Sequence, residues 1–473
     1  MFGHMGEMWI KSFQEEFDGF LQWSTGEAAL RRMASDYTED LVFMPDVVVE
    51  PQSTIEVQQV LKWAHAHDVP VTPAGAMTGL SGGALPVQGG ISLSSCRMNR
   101  IVAIDELNHQ VIVEPGVIVQ ELQEAVQEKS LFYAVDPASR GSCTIGGNLA
   151  ENSGGPRAVK YGVTKDWVLN LQVVLMDGTV IETGANTLKN STGYNLTSLM
   201  VGSEGTLGYI TQATLKLLPW PRHNALMLVP FSSASLACRA VSEIFIAGAQ
   251  PSALEFMERS AITLAMEHEG LDATELDPQV AAHLLIEVDG FEPDSLMPQL
   301  ERIYAVLSRI GSGDPLMAED DAAKEKLWRL RRIVGEAVKS KCPYKEEDTV
   351  VPRGRLPELL EAVKRIGTEF GFESICYGHA GDGNLHVNIL KDGVTDEFWE
   401  TELSVAVREI FKKVRALGGT LSGEHGIGWV QKPYMDLAFS EESIQLQRNI
   451  KSVFDPKNLL NPLKIWPSVD SKI

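Results

Sequence analysis

Residues 73–84 read Pro73-Ala74-Gly75-Ala76-Met77-Thr78-Gly79-Leu80-Ser81-Gly82-Gly83-Ala84. Consecutive small residues let backbone N–H groups converge on an anion, and the hydroxyls of Thr78 and Ser81 add two donors. We therefore predict that this segment, the phosphate loop, cradles a phosphate group, with a glycine-rich surface turn as the simpler alternative. The loop has neither the Rossmann nor the Walker pattern, and the chain contains no Gly-Lys pair, which disfavours ordinary NAD-binding and P-loop functions.

The sequence around the phosphate loop predicts a mixed α+β domain. A capping box at Ser53-Thr54-Ile55-Glu56 begins a helix whose apolar residues recur at helical spacing to about His67. Short runs of β-branched and apolar residues between turn residues predict strands at 69–73, 90–93, 110–114 and 171–175.

Three further clusters of small residues follow, at 141–148, 152–155 and 202–208. Because glycine has no Cβ, it lets the backbone approach a ligand closely. One such loop is readily explained as a surface turn. Four in one half of the chain predict a large, extended cofactor.

The best candidate for a domain boundary is Pro219-Trp220-Pro221, since prolines disfavour both a continuing helix and a central strand. We place a first domain at 1–220 and a second at 221–473. Helical periodicity at 325–339 and 357–366, with a strand-like run at 284–288, predicts that the second domain is also α+β.

Bulk composition disfavours several functional classes. The 473 residues include 63 acidic and 41 basic side chains, and the net charge of −22 repels nucleic acid and anionic membrane surfaces. The five cysteines are scattered and form no CxxC pair, which argues against a disulfide framework and an iron–sulfur cluster in this chain. No apolar run reaches transmembrane length, so we expect a cytoplasmic protein, with peripheral membrane attachment through a partner as the alternative.

Two histidine motifs in the second half indicate a metal site. In the segment 378–388, a tight turn separates His379 from His386, and strand alternation places His386 and Asn388 on one face. The segment 422–428 then sets Glu424 beside a third histidine. Two imidazoles and one carboxylate suit zinc, iron(II) or manganese.

Neighbouring side chains in a loop diverge, so only one of Glu424 and His425 is expected to bind the metal. We assign Glu424 to the metal and His425 to general-base work, because a neutral imidazole accepts a hydroxyl proton at neutral pH. The reverse assignment stays open.

Arg331 interrupts the apolar stripe of a predicted helix, on which residues 327, 331, 334 and 338 share one face. A guanidinium at the edge of a core needs an anionic partner, and a substrate carboxylate matches its fork geometry. An arginine that reaches the surface or pairs with a nearby acid is the alternative.

Together these motifs resemble FAD-dependent flavoproteins of the vanillyl-alcohol-oxidase type, in particular the group of D-lactate dehydrogenase, glycolate oxidase flavin subunit and D-2-hydroxyglutarate dehydrogenase. The resemblance spans nearly the whole chain, and its motifs occur at 73–84, 136–137, 145–148, 202–208, 378–388, 423–426 and 461–462. It implies an α+β fold with a two-subdomain FAD-binding domain, followed by an α+β, ferredoxin-like domain that supplies substrate and metal groups.

The resemblance also implies roles for individual residues. The implied metal ligands are His379, His386 and Glu424. The implied catalytic and substrate-binding residues are His425, Asn388, Arg331 and Lys345, the last aligned only with a one-residue gap. FAD is expected to be non-covalent, since the loop where some relatives attach flavin has no histidine, and its implied contacts are Pro73, Gly75, Ala76, Met77, Thr78, Gly79, Leu80, Ser81, Pro137, Ser142, Thr144, Gly147, Asn148, Asn152, Ser153, Gly205, Gly208 and Ile210.

The implied activity is oxidation of a small D-2-hydroxy acid, of the D-lactate, glycolate or D-2-hydroxyglutarate class, with hydride passing to flavin N5. Electrons would then leave to an electron-transfer flavoprotein, an iron–sulfur subunit or a quinone. Three rivals remain: a non-redox flavoenzyme resembling alkyl-ether synthases, a metal-dependent hydrolase, and a catalytically idle flavin subunit. The sequence leaves open the substrate side chain and the oligomeric state, including a homodimer.

Overall fold

The computed structural model describes residues 2–38 and 41–467. The α-helices are α1 (Phe2–Phe17), α2 (Glu27–Arg32), α3 (Thr54–Ala66), α4 (Val119–Gln127), α5 (Ile145–Glu151), α6 (Ala158–Tyr161), α7 (Leu196–Met200), α8 (Ala234–Ile246), α9 (Arg259–His268), α10 (Met297–Ile310), α11 (Asp321–Arg332), α12 (Val334–Lys341), α13 (Leu356–Phe370), α14 (Leu403–Ala416), α15 (Met435–Ala438) and α16 (Glu441–Phe454).

The β-strands are β1 (Trp23–Ser24), β2 (Val47–Val49), β3 (Val71–Ala74), β4 (Ile91–Ser94), β5 (Ile101–Asp105), β6 (Gln110–Val113), β7 (Leu131–Phe132), β8 (Val168–Val174), β9 (Val180–Glu182), β10 (Tyr209–Lys216), β11 (Leu218–Pro219), β12 (His223–Phe231), β13 (Ala253–Glu258), β14 (Ala282–Gly290), β15 (Leu316–Met317), β16 (Tyr344–Val350), β17 (Ser374–Gly378) and β18 (Asn384–Leu390). Helices and strands are mixed throughout, and the α+β prediction is confirmed. None of the helices in the described part of the chain combines the length and apolar character that a membrane span requires.

The described residues divide into two compact units. Unit 1 takes its residues from 1–154, 162–220 and 424–473, and unit 2 from 155–161 and 221–423. One division follows Trp220, where the sequence predicts a boundary. The segment from 424 onward, predicted to belong to the second domain, lies in unit 1, because its backbone pairs with β3: Val71 N donates to Leu459 O at 2.8 Å and Asn461 N donates to Val71 O at 2.7 Å.

Unit 1 contains two main sheets, in agreement with the expected two subdomains. The first is mixed, in the order β1-β2-β4-β3, and the second is antiparallel, in the order β5-β6-β10-β8-β9. Strands β7 and β11 form a separate pair.

Helix α3 is the helix predicted from the capping box. The Glu56 amide donates to Ser53 Oγ at 3.3 Å, and Glu56 Oε2 accepts from the Gln52 amide at 2.9 Å. The apolar residues Val57 and Val60 are fully buried in the core that α3 forms with β3 and β4. The cap and the apolar face thus define the helix that leads into the phosphate loop.

Unit 2 is built on a seven-stranded sheet, in the order β15-β12-β14-β13-β17-β18-β16. All its pairs are antiparallel. Helices α9, α11 and α12 cover one face through apolar residues such as Ile262, Trp328 and Val338. Helices α8, α13 and α14 also pack on the sheet, and Lys364 of α13 donates to Glu258 of β13 at 2.8 Å.

The single helix predicted at 325–339 is wrong, because the structure has two. Helix α11 ends at Arg332 and α12 begins at Val334. Between them, Ile333 has φ −78° and ψ −9°, away from the helical ψ near −42°. Gly335, a poor helix former, follows the break.

We expect replacement of Ser53 by alanine to lower the free energy of unfolding by about 1 kcal/mol, because the Glu56 amide at the start of α3 loses its acceptor. Urea unfolding would measure the change. Ser53→Gly is the matched variant and should cost only a few tenths of a kcal/mol. Equal losses for both variants would contradict a capping role.

Candidate active site

The carbonyl groups of the phosphate loop are held by unit 1. Ser81 O accepts from the Trp429 amide at 2.9 Å. Gly83 O accepts from Asn461 Nδ2 and from Lys464 Nζ, both at 2.9 Å. The protein itself therefore satisfies these acceptors.

Several hydrogen-bond donors of the phosphate loop, unlike its carbonyl groups, are not satisfied by the described part of the protein. Within the described chain, the backbone amides from Ala76 to Ser81 make no hydrogen bond, and the buried Ser81 Oγ has no partner. Met77, a residue other than glycine, adopts φ 59° in this loop, and such strain concentrates at ligand sites. Unsatisfied donors cost free energy, so the loop is suited to a ligand rich in acceptors.

The small-residue clusters approach one another closely. A Cβ on Gly75 would lie 2.7 Å from Thr144 Oγ1, and a Cβ on Gly205 would lie 3.1 Å from Pro73 Cγ. Thr144 caps α5, and Asn148 on that helix is buried with its Nδ2 lacking a hydrogen-bond partner among the described residues. Three of the four predicted cofactor segments thus border one region of unit 1.

Other residues predicted to contact the cofactor make local contacts that shape the backbone around α5 and β8. Gly147 N donates to Thr144 Oγ1 at 3.3 Å, and Asn152 ends α5 with φ 59°. A Cβ on Gly208 would clash with Val173 Cγ1. Four further predicted contacts also lie in unit 1: Pro137, Ser142, Ser153 and Ile210.

The sheet of unit 2 carries a polar patch, which we call the histidine face. His386 lies opposite Asp348 and Tyr377 in the strand register, and Asn388 lies opposite Glu346. Paired residues of antiparallel strands point to the same side. These five side chains therefore share one face, as the alternation of His386 and Asn388 predicts.

A buried carboxylate on β13 joins this face to Arg331. Glu255 Oε2 accepts from His379 Nδ1 at 2.8 Å and lies 2.6 Å from Arg331 Nη2. Burial alone raises the pKa of Glu255, but His379 and Arg331 outweigh it and hold the pKa of that carboxyl below its usual value. The bond to Nδ1 leaves Nε2 as the nitrogen of His379 that can bind a metal.

Arg331 lies on the buried helix face that periodicity predicts and is 5% exposed. The pairing with a nearby acid is present, since Glu255 is its partner. One carboxylate does not use all five N–H donors of a guanidinium, and the buried Arg331 Nε has no hydrogen-bond partner among the described residues. The guanidinium carbon lies 5.1 Å from the centre of the Tyr377 ring.

The second histidine has acids on its Nδ1 side. His386 Nδ1 lies 3.2 Å from Glu346 Oε1 and 3.8 Å from Asp348 Oδ1. The rings of His379 and His386 have centres 5.4 Å apart and planes at 82°. With both Nδ1 atoms beside carboxylates, the Nε2 atoms are the ones suited to a shared ion.

Lys345 does not join this group. It lies opposite Ile389, and therefore on the other face of the sheet from Asn388. Its Nζ lies 3.8 Å from Glu347 Oε1. The residue that faces His386 is the next one, Glu346, so the placement of Lys345 at the substrate is corrected.

Glu424 and His425 lie between two anchored segments of the chain. Before them, Asp348 Oδ2 accepts from Ser422 Oγ and from the Gly423 amide, both at 2.8 Å. After them, Glu204 accepts from the amides of the next two residues at 2.9 and 2.6 Å: Ile427 and Gly428. Glu204 has φ 51°, a strained conformation for a glutamate.

Sequence reasoning missed Glu255, Glu346 and Glu204. Glu255 is a charged residue in the otherwise apolar start of β13, which is a usable signal. Glu204 lies inside a glycine cluster that was already a candidate. Glu346 carries no pattern of its own, because only the strand register shows which face it joins.

Comparison with known families gives two matches. Residues 220–465 match the family described as FAD linked oxidases, C-terminal domain. Residues 45–184 match the FAD binding domain family. The two matched regions include the histidine motif and most of the small-residue clusters.

Similar proteins match over nearly their whole length. A protein named glycolate oxidase subunit GlcD from Bacillus subtilis is 38% identical, over 91% of each chain. One named D-lactate dehydrogenase from Anaerostipes hadrus is 36% identical, over 91% of this chain and 92% of its own. One named D-2-hydroxyglutarate dehydrogenase from Stutzerimonas stutzeri is 32% identical, over 93% and 95%.

Solved structures share the fold. p-Cresol methylhydroxylase with substrate bound superposes with a TM-score of 0.78 at 16% identity, over 97% of this chain and 96% of its own. Alkyldihydroxyacetonephosphate synthase superposes with a TM-score of 0.75 at 21% identity, over 96% and 86%. The expected vanillyl-alcohol-oxidase type of fold is confirmed.

We expect Glu204→Gln to speed hydrogen exchange at the amides of Ile427 and Gly428 by roughly tenfold, because a side-chain amide offers one acceptor oxygen in place of the two oxygens of the carboxyl group. Mass spectrometry of peptides covering 425–430 would measure it. Glu128→Gln, at an exposed site of unit 1, is the control and should leave these peptides unchanged. Unchanged exchange in Glu204→Gln would show that another group anchors this segment.

Proposed function

This chain belongs to the family of FAD-linked oxidases, and we propose that it is an FAD-dependent dehydrogenase that oxidises a small D-2-hydroxy acid to the 2-keto acid. The observation that carries the proposal is the Glu255 bridge, which joins a buried guanidinium to an imidazole. Glu255 thus holds together a cation that can bind a carboxylate, Arg331, and a candidate metal ligand, His379. A 2-hydroxy acid has a carboxylate next to a hydroxyl group, so it needs one group of each kind. The names of the relatives at 32–38% identity agree with this activity.

The phosphate loop fits the pyrophosphate of FAD. Its amides from Ala76 to Ser81 and the hydroxyl of Ser81 are donors without partners in the described chain, and pyrophosphate supplies acceptors. The segments around Thr144 and Gly205 border the same loop, and Asn148 Nδ2 adds a buried donor. We assign the remaining predicted contacts to the same non-covalent cofactor.

Arg331 would bind the substrate carboxylate. Glu255 holds the guanidinium at Nη2, while Nε is a buried donor without a hydrogen-bond partner among the described residues. A carboxylate next to the reacting hydroxyl would supply the acceptor. Asn388, fully buried on the histidine face, would orient the substrate from the sheet.

His379 and His386 would hold a divalent metal, with Glu424 as the third ligand. Both imidazoles have a carboxylate beside Nδ1, an arrangement that directs Nε2 toward an ion. Glu424 follows Gly423, whose amide is bound to Asp348, the residue opposite His386 in the register. This ligand set suits zinc, iron(II) or manganese.

His425 would accept the proton of the substrate hydroxyl, since an imidazole can do so near neutral pH. When bound, FAD supplies the acceptor for the hydride from C2, and the metal supplies a Lewis acid at the hydroxyl oxygen. Electrons would then pass to a separate acceptor, an electron-transfer flavoprotein, an iron–sulfur subunit or a quinone.

The alternative of a non-redox flavoenzyme rests on the fold that this chain shares with alkyldihydroxyacetonephosphate synthase, at 21% sequence identity. The proteins named as dehydrogenases and oxidases are more similar in sequence, and they favour the redox function. Matches to both FAD families disfavour the hydrolase.

We expect the purified, metal-replete protein to show a flavin band near ~450 nm that a 2-hydroxy acid bleaches under anaerobic conditions, because reduction removes that absorption. D-lactate, glycolate and D-2-hydroxyglutarate would be added separately and the spectrum recorded. A flavin band that none of the three acids bleaches would favour the non-redox alternative. A protein that binds no flavin after reconstitution would contradict the proposal.

The rate of flavin reduction by the 2-hydroxy acid also tests whether His425 is the general base. His425→Asn should slow flavin reduction by roughly 100- to 10,000-fold, since the hydroxyl proton loses its acceptor. His109→Asn is the matched control, because His109 is exposed and has φ 50°, a conformation that asparagine tolerates. Equal rates in both variants would assign the base elsewhere.

We expect Glu255→Gln to weaken metal binding by roughly 10- to 100-fold, because His379 loses the carboxylate that orients Nδ1. Competition with a chelator would measure the dissociation constant. Glu258→Gln removes a buried carboxylate from the opposite face of the same strand and should leave the affinity unchanged. Equal losses in both variants would mean that the effect is a general loss of stability.

A further inference from the structure

Glu346 is a carboxylate of strand β16 that lies beside a candidate metal ligand. It lies opposite Asn388 in the register and therefore shares the histidine face. Its Oε1 is 3.2 Å from His386 Nδ1, and its side chain is 11% exposed. Glu346 thus borders the groups assigned to metal and substrate in the proposed function.

The strands bring no permanent positive charge to this face. Among the described residues of β13, β16, β17 and β18, the side chains on it include three carboxylates: Glu255, Glu346 and Asp348. The only lysine of these strands, Lys345, points to the other side. Arg331 reaches the face from α11, and Glu255 already balances part of its charge.

A substrate with one carboxylate can use Arg331, but a second carboxylate has no matching cation from these strands. It would instead approach Glu346, and two negative charges at short distance repel strongly in a partly buried site. A neutral substituent such as hydrogen or methyl meets no such repulsion.

From this distribution of charge we infer that Glu346 is a specificity-determining residue that selects 2-hydroxy acids with an uncharged side chain against those with a second carboxylate. The inference rests on the proposed function and narrows its substrate class. The preferred substrates are then of the lactate or glycolate type, and 2-hydroxyglutarate is disfavoured.

The test compares kcat/KM for D-lactate and D-2-hydroxyglutarate in the wild-type protein and in Glu346→Gln and Glu346→Lys. We expect the wild type to prefer D-lactate, and each variant to shift the ratio toward the dicarboxylate by roughly 10- to 100-fold, more for lysine. Asp392→Asn changes the net charge by the same amount as Glu346→Gln at an exposed turn and should leave the ratio unchanged.

Metal content and flavin content are measured on every variant. The two substrates are compared at saturating metal, because Glu346 lies beside His386 Nδ1 and its replacement is expected to weaken metal binding as well. An unchanged ratio, or a wild type that prefers 2-hydroxyglutarate, would overturn the inference. In each of these cases reduction of wild-type flavin by a hydroxy acid still supports the proposed function. Flavin that no acid reduces would overturn the proposed function and, with it, this inference.

Discussion

The ion pair of Glu255 with Arg331 and His379 is the interaction on which the proposed chemistry of unit 2 depends. A single buried carboxylate accepts from His379 Nδ1 at 2.8 Å and lies 2.6 Å from Arg331 Nη2. A buried acid is stable only when it is paired. In pairing with both, Glu255 sets the orientation of an imidazole and the position of a guanidinium together, so the proposed metal and carboxylate sites would not vary independently.

In unit 1 the proposed role of the phosphate loop is to present backbone donors to an anion. The carbonyls of Ser81 and Gly83 are held by Trp429, Asn461 and Lys464, which lie far along the chain. The amides from Ala76 to Ser81 keep no partner within the described chain and are available to the proposed cofactor. The return of the C-terminal segment to unit 1 explains why the domain assignment from sequence differs from the structure.

Local patterns predicted much of this protein. The capping box at Ser53 predicts α3, and alternation places His386 and Asn388 on one face, as the register has them. Helical periodicity places Arg331 in a buried position. The sequence patterns did not show which residue of β16 lies on the histidine face. Side chains alternate along a strand, so Glu346 lies on that face and its neighbour Lys345 lies on the other.

By itself, the sequence determined the α+β class, the presence of the glycine-rich segments and the histidine motifs, and the membership of an oxidase family. Only the tertiary structure decided which charges meet. Glu255 and His379 are 124 residues apart in the chain, and Glu204 and Ile427 are 223 apart. Periodicity reports the environment of a residue along its own helix or strand, whereas an ion pair or hydrogen bond depends on how distant strands and loops are brought together by packing.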